Sequence, residues 1–390
     1  MALEIHWFLP TSGDSRTDVG TGHQAVLEVN DGAGSTPGRK PDIRYLNQIS
    51  TAADSFGFGA VLTPTNLLCE DAWVISAALV QNTDALRYIV AFRPGLASPT
   101  AVAQMAASLQ RISCGRLMLN VVVGGLEDEQ RAFGDFLPKA ERYDRASEYL
   151  SILRALWTGD SVNFRGEHVE VAGAQIRPSA TMPRVYLGGS SAEAIEVAAK
   201  HADVFLTWGE PPEMVREKIA RVRAQADSEG RAISFGIRMH VISRDTSEQA
   251  WQVAQQFLDA IDPEYLAKAQ SNQQQFESEG QRRMRALHEG TATGLEVVPN
   301  LWAGFGLVRD GAGTGLVGSH AEVADLVAEY HEIGIDEFIL SGFPHLEELY
   351  HVGEGLLPEL RRRGLLRGGD QFANQFRADA VTLTLNRVQS

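Results

Sequence analysis

The sequence predicts an α/β protein: a (β/α)8 TIM barrel with insertions after strand 1 and between strands 7 and 8. Three observations carry this prediction. Short apolar runs rich in β-branched and aromatic residues recur eight times, amphipathic helical segments lie between most of them, and no glycine fingerprint follows the first run. Strand–helix alternation implies a parallel sheet. Eight such units close a barrel whose active site lies at the carboxyl ends of the strands. An open doubly wound sheet is the alternative, but its first strand usually leads into a glycine fingerprint. Here the first strand leads into Leu9-Pro10-Thr11-Ser12-Gly13-Asp14.

In chain order the predicted strands are residues 4–10, 59–64, 88–94, 117–124, 184–189, 204–209, 234–242 and 337–343. Helical segments at 43–56, 100–112, 143–157 and 212–226 fall between them. Residues 13–41 form a long polar loop after the first strand, rich in Gly, Ser and Asp. Residues 262–300 form a larger insertion after strand seven. Its glutamines at 273–275 and the Gly290-Thr-Ala-Thr-Gly294 stretch point to mobility. Long loops in compact domains serve as lids or binding loops, so 262–300 is read as a lid. One barrel domain then spans residues 1–363. Residues 364–390 make a C-terminal tail that packs on a neighbouring subunit or frays.

Composition excludes several classes. With 44% hydrophobic and 22% charged residues, the 390-residue chain has the make-up of an ordinary globular protein. A formal net charge of −15 argues against nucleic acid or an anionic membrane as partner. It leaves room for a small anionic substrate, which feels the local field. Residues 3–9 lack the basic start and the apolar length of a signal peptide. No apolar stretch approaches the roughly 20 residues of a membrane helix, so a cytoplasmic location is expected. Two cysteines, Cys69 and Cys114, make neither a disulfide framework nor a zinc cluster. No metal site is expected, because the His and carboxylate residues show no ligand spacing.

The segment Ser234-Phe-Gly-Ile-Arg-Met-His-Val-Ile242 is the most informative. It reads as a buried strand, yet Arg238 and His240 leave it by the same face, two residues apart. Burying an unpaired cation is expensive, so such a strand has either an internal carboxylate or an anionic ligand to place there. Other strand ends bring more polar groups to the same barrel face. Strand two leads through Thr63 to Cys69 and Trp73, strand four carries Asn120, and strand six ends at Trp208. Strand eight ends Ser341-Gly-Phe343-Pro-His345, and a glycine-rich segment at 307–318 surrounds Arg309. After strand five, Gly188-Gly189-Ser190-Ser191 precedes a helix. Close backbone approach and a helix N-terminus make this either a phosphate cradle or a simple helix cap.

With these residues in view, the chain resembles the bacterial luciferase-like flavin monooxygenases, and among them the alkanesulfonate monooxygenases, with the sulfoquinovose branch as a variant. The resemblance runs from Trp7-Phe-Leu-Pro-Thr11 through Cys69-Glu-Asp-Ala-Trp73, Leu206-Thr-Trp-Gly-Glu-Pro-Pro212 and Phe235-Gly-Ile-Arg-Met-His240. It continues through Asn300-Leu-Trp-Ala-Gly304 to Ser341-Gly-Phe-Pro-His-Leu-Glu-Glu348. It implies an FMN-dependent enzyme that takes reduced flavin from a separate NAD(P)H-dependent FMN reductase. With O2 such an enzyme cleaves the carbon–sulfur bond of an organosulfonate to an aldehyde and sulfite. A homodimer or homotetramer is implied as well.

Carried over residue by residue, the resemblance makes His240 a proton acceptor and Arg238 a stabiliser of anion or peroxide and a proton donor. Arg309 closes the mouth over the substrate, and Trp208 forms a pocket wall. Ser12, Phe343 and His345 complete the substrate pocket. Cys69, Asn120 and Tyr143 lie at the flavin, with Ser190 and Ser191 on its phosphate. A sulfonate spreads its charge over several oxygens, which suits the forked donors of Arg238 and Arg309. Two positions depart from the family pattern: Ser12 stands where a His is usual, and Phe343 where a Tyr is usual. A pocket reshaped for a bulkier sulfonate such as sulfoquinovose is one consequence; drift within an alkanesulfonate enzyme is the other. A deazaflavin-dependent oxidoreductase on the same barrel and a non-catalytic flavin or organosulfur binder are the readings from other classes.

Overall fold

The structure, a computed structural model, describes residues 2–15, 38–179, 181–273 and 278–366. Residues 16–37 of the first loop, glutamines 274 and 275, and the tail beyond 366 lie outside them. The barrel strands are β1 (Glu4–Phe8), β2 (Ala60–Thr63), β3 (Arg87–Phe92) and β4 (Leu117–Val121). An antiparallel hairpin, β5 (Val162–Arg165) and β6 (Glu170–Ala174), intervenes before β7 (Val185–Gly188), β8 (Val204–Trp208) and β9 (Ser234–Arg244). The segment between β9 and β13 then contributes β10 (Glu296–Val298), β11 (Leu301–Trp302) and β12 (Gly315–Ser319), and β13 (Glu337–Ser341) closes the ring. The circuit β1-β2-β3-β4-β7-β8-β9-β13 is parallel throughout and returns to β1. All eight sequence-predicted strands are these barrel strands.

Local chemistry fixes the ends of the intervening helices. Asp42 caps Ile43–Phe56 by accepting the N–H groups of Arg44 and Tyr45, and Gly57, at φ 80°, ends it. Thr246 and Ser319 open Ser247–Asp259 and His320–Glu332 with reciprocal capping boxes. Among the described residues, no helix is long and apolar enough to cross a membrane.

Pleat parity divides the barrel interior into three levels. At the floor, Glu337 is buried and accepts from Tyr186 Oη at 2.6 Å and Arg184 Nη1 at 2.8 Å, with His6 Nε2 at 3.1 Å. Burial raises its pKa, but His6, Arg184 and Tyr186 outweigh that and bring it down to about 2. Although the sequence shows no metal-ligand spacing, the fold brings Glu4, His6 and Glu337 within 4.8 Å of one another. Arg87 on Glu4 and Arg184 on Glu337 already neutralise those carboxylates. Above the floor, Ala60, Leu62, Ile89, Met118, Val204 and Ile339 form an apolar plug with Phe8 and Leu206. The carboxyl ends of the strands form the third, polar level.

Among the described residues, five strands lie outside the eight predicted ones, and one of them falls in the glycine-rich segment 307–318: Gly315–Ser319 is a strand, β12, parallel to β9. Glycine has low strand propensity, which hid it. Packing demands the glycine: a Cβ on Gly315 would stand 2.7 Å from Phe305 Cε2 and 3.3 Å from His240 Cβ. β9 has eleven residues and changes neighbours along its length. β8 pairs with Ser234 to Arg238, whereas β12 pairs with His240 to Arg244.

Candidate active site

A cavity of about 400 Å3 opens at the carboxyl ends of β2, β3, β4, β7, β8 and β9. Asn120, Tyr143, Ser190, Ser191, Trp208 and Arg238 all stand on its wall. These six sequence-predicted residues come from three strands, one helix and the turn after β7, and the fold brings them together.

At one end, β7 runs into Gly188–Gly189 and Ser191 caps the helix Ala192–His201, accepting the N–H of Ala194 at 3.4 Å. Gly189 sits at φ +152°, and a Cβ there would meet Ala194 Cβ at 2.5 Å and Tyr143 Oη at 3.3 Å. Tyr143 is buried, and burial, offset in part by the nearby Ser191, pushes its phenol up to about 12. Lys139, on the same helix Lys139–Leu156, also lines the cavity. Two hydroxyls, a phenol, an ammonium and a helix N-terminus converge, a donor set suited to a phosphate. Lys139 escaped the sequence reading, although its place one turn before Tyr143 on a helix was a usable signal.

At the other end stands Arg238, on the lumen side of β9. Its guanidinium lies 4.4 Å over the Phe8 ring, and Nη1 and Nη2 donate to Met239 O at 2.6 Å and Ser341 Oγ at 2.8 Å. No described carboxylate pairs with it. Burial and the nearby Arg309 push its pKa down to about 9.

His240 lies behind this wall at 1% exposure, not on it. Its Nδ1 is 2.7 Å from Ser341 Oγ and its Nε2 3.0 Å from Ala312 O, so both ring nitrogens are engaged. The ring packs on Phe305 and Phe343 at centroid distances of 4.4 and 5.4 Å. Burial, then Arg238 and Arg309, hold its pKa well below the usual imidazole range. Arg309 stacks on Phe343 at 4.6 Å, and the Phe343 ring meets His345 edge-on at 5.1 Å. Arg309, Phe343 and His345 therefore form a second layer beside His240, off the cavity wall.

Ser12 and Cys69 form a third group. The Cys69 thiol lies beside Thr11 and Ser12, and burial pushes its pKa up to about 11. It connects to the cavity through Asn66, whose Oδ1 accepts the N–H of Cys69 at 3.0 Å and which lines the wall.

The insertion covers the cavity. Ser278, Glu279, Gly280 and Gln281 line it, and a Cβ on Gly280 would meet Trp208 at 2.9 Å and Ser190 Oγ at 3.6 Å. Arg283 pairs with Glu210, just past β8, through both carboxylate oxygens, and Lys218 approaches the same carboxylate at 3.0 Å. Gln273, read as part of a mobile run, is buried, and its amide donates to Gly306 O and Arg309 O.

A parallel barrel with a phosphate-suited cradle and a half-buried guanidinium across one strand-end cavity defines the class of barrel enzyme to which this chain is akin. Residues 3–337 match the model of the luciferase-like monooxygenase family. The chain belongs to that family. Solved structures agree in fold. A riboflavin lyase (RcaE) with modified FMN and riboflavin is 21% identical at a TM-score of 0.75, covering 94% of this chain and 93% of that one. The EDTA monooxygenase EmoA from Chelativorans sp. BNC1 is 17% identical at 0.74, covering 96% and 98%. The long-chain alkane monooxygenase LadA is 21% identical at 0.74, covering 94% and 93%.

Proposed function

We propose that this chain is an FMNH2- and O2-dependent monooxygenase that cleaves the carbon–sulfur bond of an organosulfonate to an aldehyde and sulfite. An alkanesulfonate or a bulkier sulfonate such as sulfoquinovose is the substrate, and a separate NAD(P)H-dependent FMN reductase supplies the reduced flavin. The observation that carries the substrate class is Arg238: a half-buried cation on the cavity wall with no described carboxylate beside it. A permanent anion with several acceptor oxygens satisfies it, each charged hydrogen bond contributing about 1.5–3 kcal/mol.

The residues fit FMN. The close-packed Gly188–Gly189 turn, the hydroxyls of Ser190 and Ser191, Tyr143 and Lys139 suit its phosphate, and Asn120 suits its ring system. When bound, reduced FMN supplies the electrons that activate O2. The chain's own residues do the rest. Arg238 holds the substrate's charge, and Trp208 walls the pocket. Residues 262–300 act as the lid within a single barrel domain of residues 1–363, keeping water from the cavity. Arg309 and His345 border the substrate side from the second layer, with Phe343 and Ser12 shaping its volume.

A sulfite-release screen over sulfonates, with reduced FMN supplied by a reductase, tests the reading. Sulfite from octanesulfonate or sulfoquinovose, dependent on O2, is expected. No sulfite from any sulfonate, with flavin bound, would remove it.

A further inference from the structure

The hydrogen bonds behind the cavity wall form one chain whose direction is chemically forced. A carbonyl oxygen only accepts, so the bond between Ala312 O and His240 Nε2 puts a proton on Nε2. His240 is neutral, because burial and the two arginines oppose a second proton, so Nδ1 is bare. The Ser341 hydroxyl, 2.7 Å away, therefore donates to Nδ1. With its proton so directed, Ser341 Oγ turns its lone pairs toward Arg238, which can only donate, at 2.8 Å. Ser341 is fully buried at the end of β13, in register with His240.

We infer that Ser341 is a positioning residue, which holds the Arg238 guanidinium at the cavity wall while His240, fixed as its Nε2–H tautomer, orients the Ser341 hydroxyl. The inference rests on the reading of Arg238 as the anion contact. It gives His240 a task that its buried place allows: His240 acts through Ser341 on Arg238. The second Arg238 bond, to Met239 O, fixes the other nitrogen of the fork. Together the two bonds set the plane of the guanidinium, and with it the direction of its remaining donors.

The test uses the full chain labelled with 15N at histidine, with His240→Gln to assign the signals. Wild-type His240 is expected to show a bare Nδ1 and a protonated Nε2, unchanged from about pH 5 to about pH 8, a range that spans the ordinary imidazole pKa of about 6.5. In Ser341→Ala the Nδ1 signal shifts, because it loses its donor. In the same variant, KM for the best sulfonate of the screen rises about tenfold or more, the worth of one charged hydrogen bond, while FMN affinity stays. Ser341→Thr, which keeps the hydroxyl, restores the Nδ1 signal and KM toward wild type. A His240 that titrates near pH 6.5, one protonated at Nδ1, or an unchanged KM in Ser341→Ala overturns the inference. Should no sulfonate be turned over, the functional reading fails alone, and the nitrogen signals still decide the hydrogen-bond chain.

Discussion

Arg283 grips Glu210 with two parallel bonds, Nε to Oε1 at 2.5 Å and Nη2 to Oε2 at 2.8 Å. One residue belongs to the insertion over the cavity, the other to the segment just past β8. Burial would raise the Glu210 pKa, but Arg283 and Lys218 outweigh it and hold the carboxylate ionised. Arg283→Ala leaves Glu210 with Lys218 alone, and exposed-side screening limits the loss to about 1–3 kcal/mol. Faster amide exchange across residues 263–298 is expected, with the barrel strands unchanged. Equal exchange in both proteins would show that the insertion is held elsewhere.

Arg238 is predicted to need its fork and not only its charge. Lysine offers a point charge without two coplanar donors, so Arg238→Lys should lower kcat/KM for a sulfonate by about tenfold to a hundredfold. Arg238→Ala should lower it further, and added guanidinium ion should recover part of the loss. Equal activity in the lysine variant would reduce the site to simple charge attraction.

Gly189→Ala tests the cradle. The added methyl meets Ala194 Cβ at 2.5 Å, and the φ of +152° disfavours any side chain. FMN affinity, followed by quenching of flavin fluorescence, should fall about tenfold or more for a loss near 1.4 kcal/mol. Lys139→Ala should weaken FMN more than riboflavin, which lacks the phosphate. Parallel losses for both flavins would move the phosphate elsewhere.

The barrel floor sets a pH dependence. Glu337 titrates at about 2 in the fold against an ordinary 4.5. A depressed carboxyl stabilises the fold fully above its unfolded pKa, and that stability is lost as pH falls from about 4.5 toward 2. The shift corresponds to about 3 kcal/mol as an order of magnitude. Glu337→Gln should flatten this acid limb of the denaturation profile while lowering stability at pH 7. An unaltered acid limb would assign acid sensitivity to other groups.

Much of the barrel was legible because its strands are uninterrupted apolar runs bounded by turn residues, as in residues 88–94. β5 and β6 were not, since their alternating half-exposed residues include Asn163, Arg165, Glu170 and glycine. β12 hid behind glycines that His240 and Phe305 require. In the site, strand-end logic placed Arg238, Asn120 and Trp208 on one wall, and the glycine-serine turn placed Ser190 and Ser191 there too. It could not see that His240 stops one layer short. The strand period gives the face on which a side chain leaves, but its neighbours decide how far it reaches. Ser341 lies 103 positions from Arg238, and a serine at a strand end carries no spacing signal. Gly280 and Gln281 were equally silent, because only tertiary packing brings them to the cavity wall.

The exchange of partners along β9 falls between Trp208↔Arg238 and Gly315↔His240, so adjacent lumen-side residues answer to different parts of the molecule. The guanidinium is anchored in the closed ring, whose geometry tolerates little variation. The imidazole is seated against β12, a strand outside the ring. Sequence changes around that added strand can retune the imidazole's surroundings without disturbing the ring or the anchors of the guanidinium.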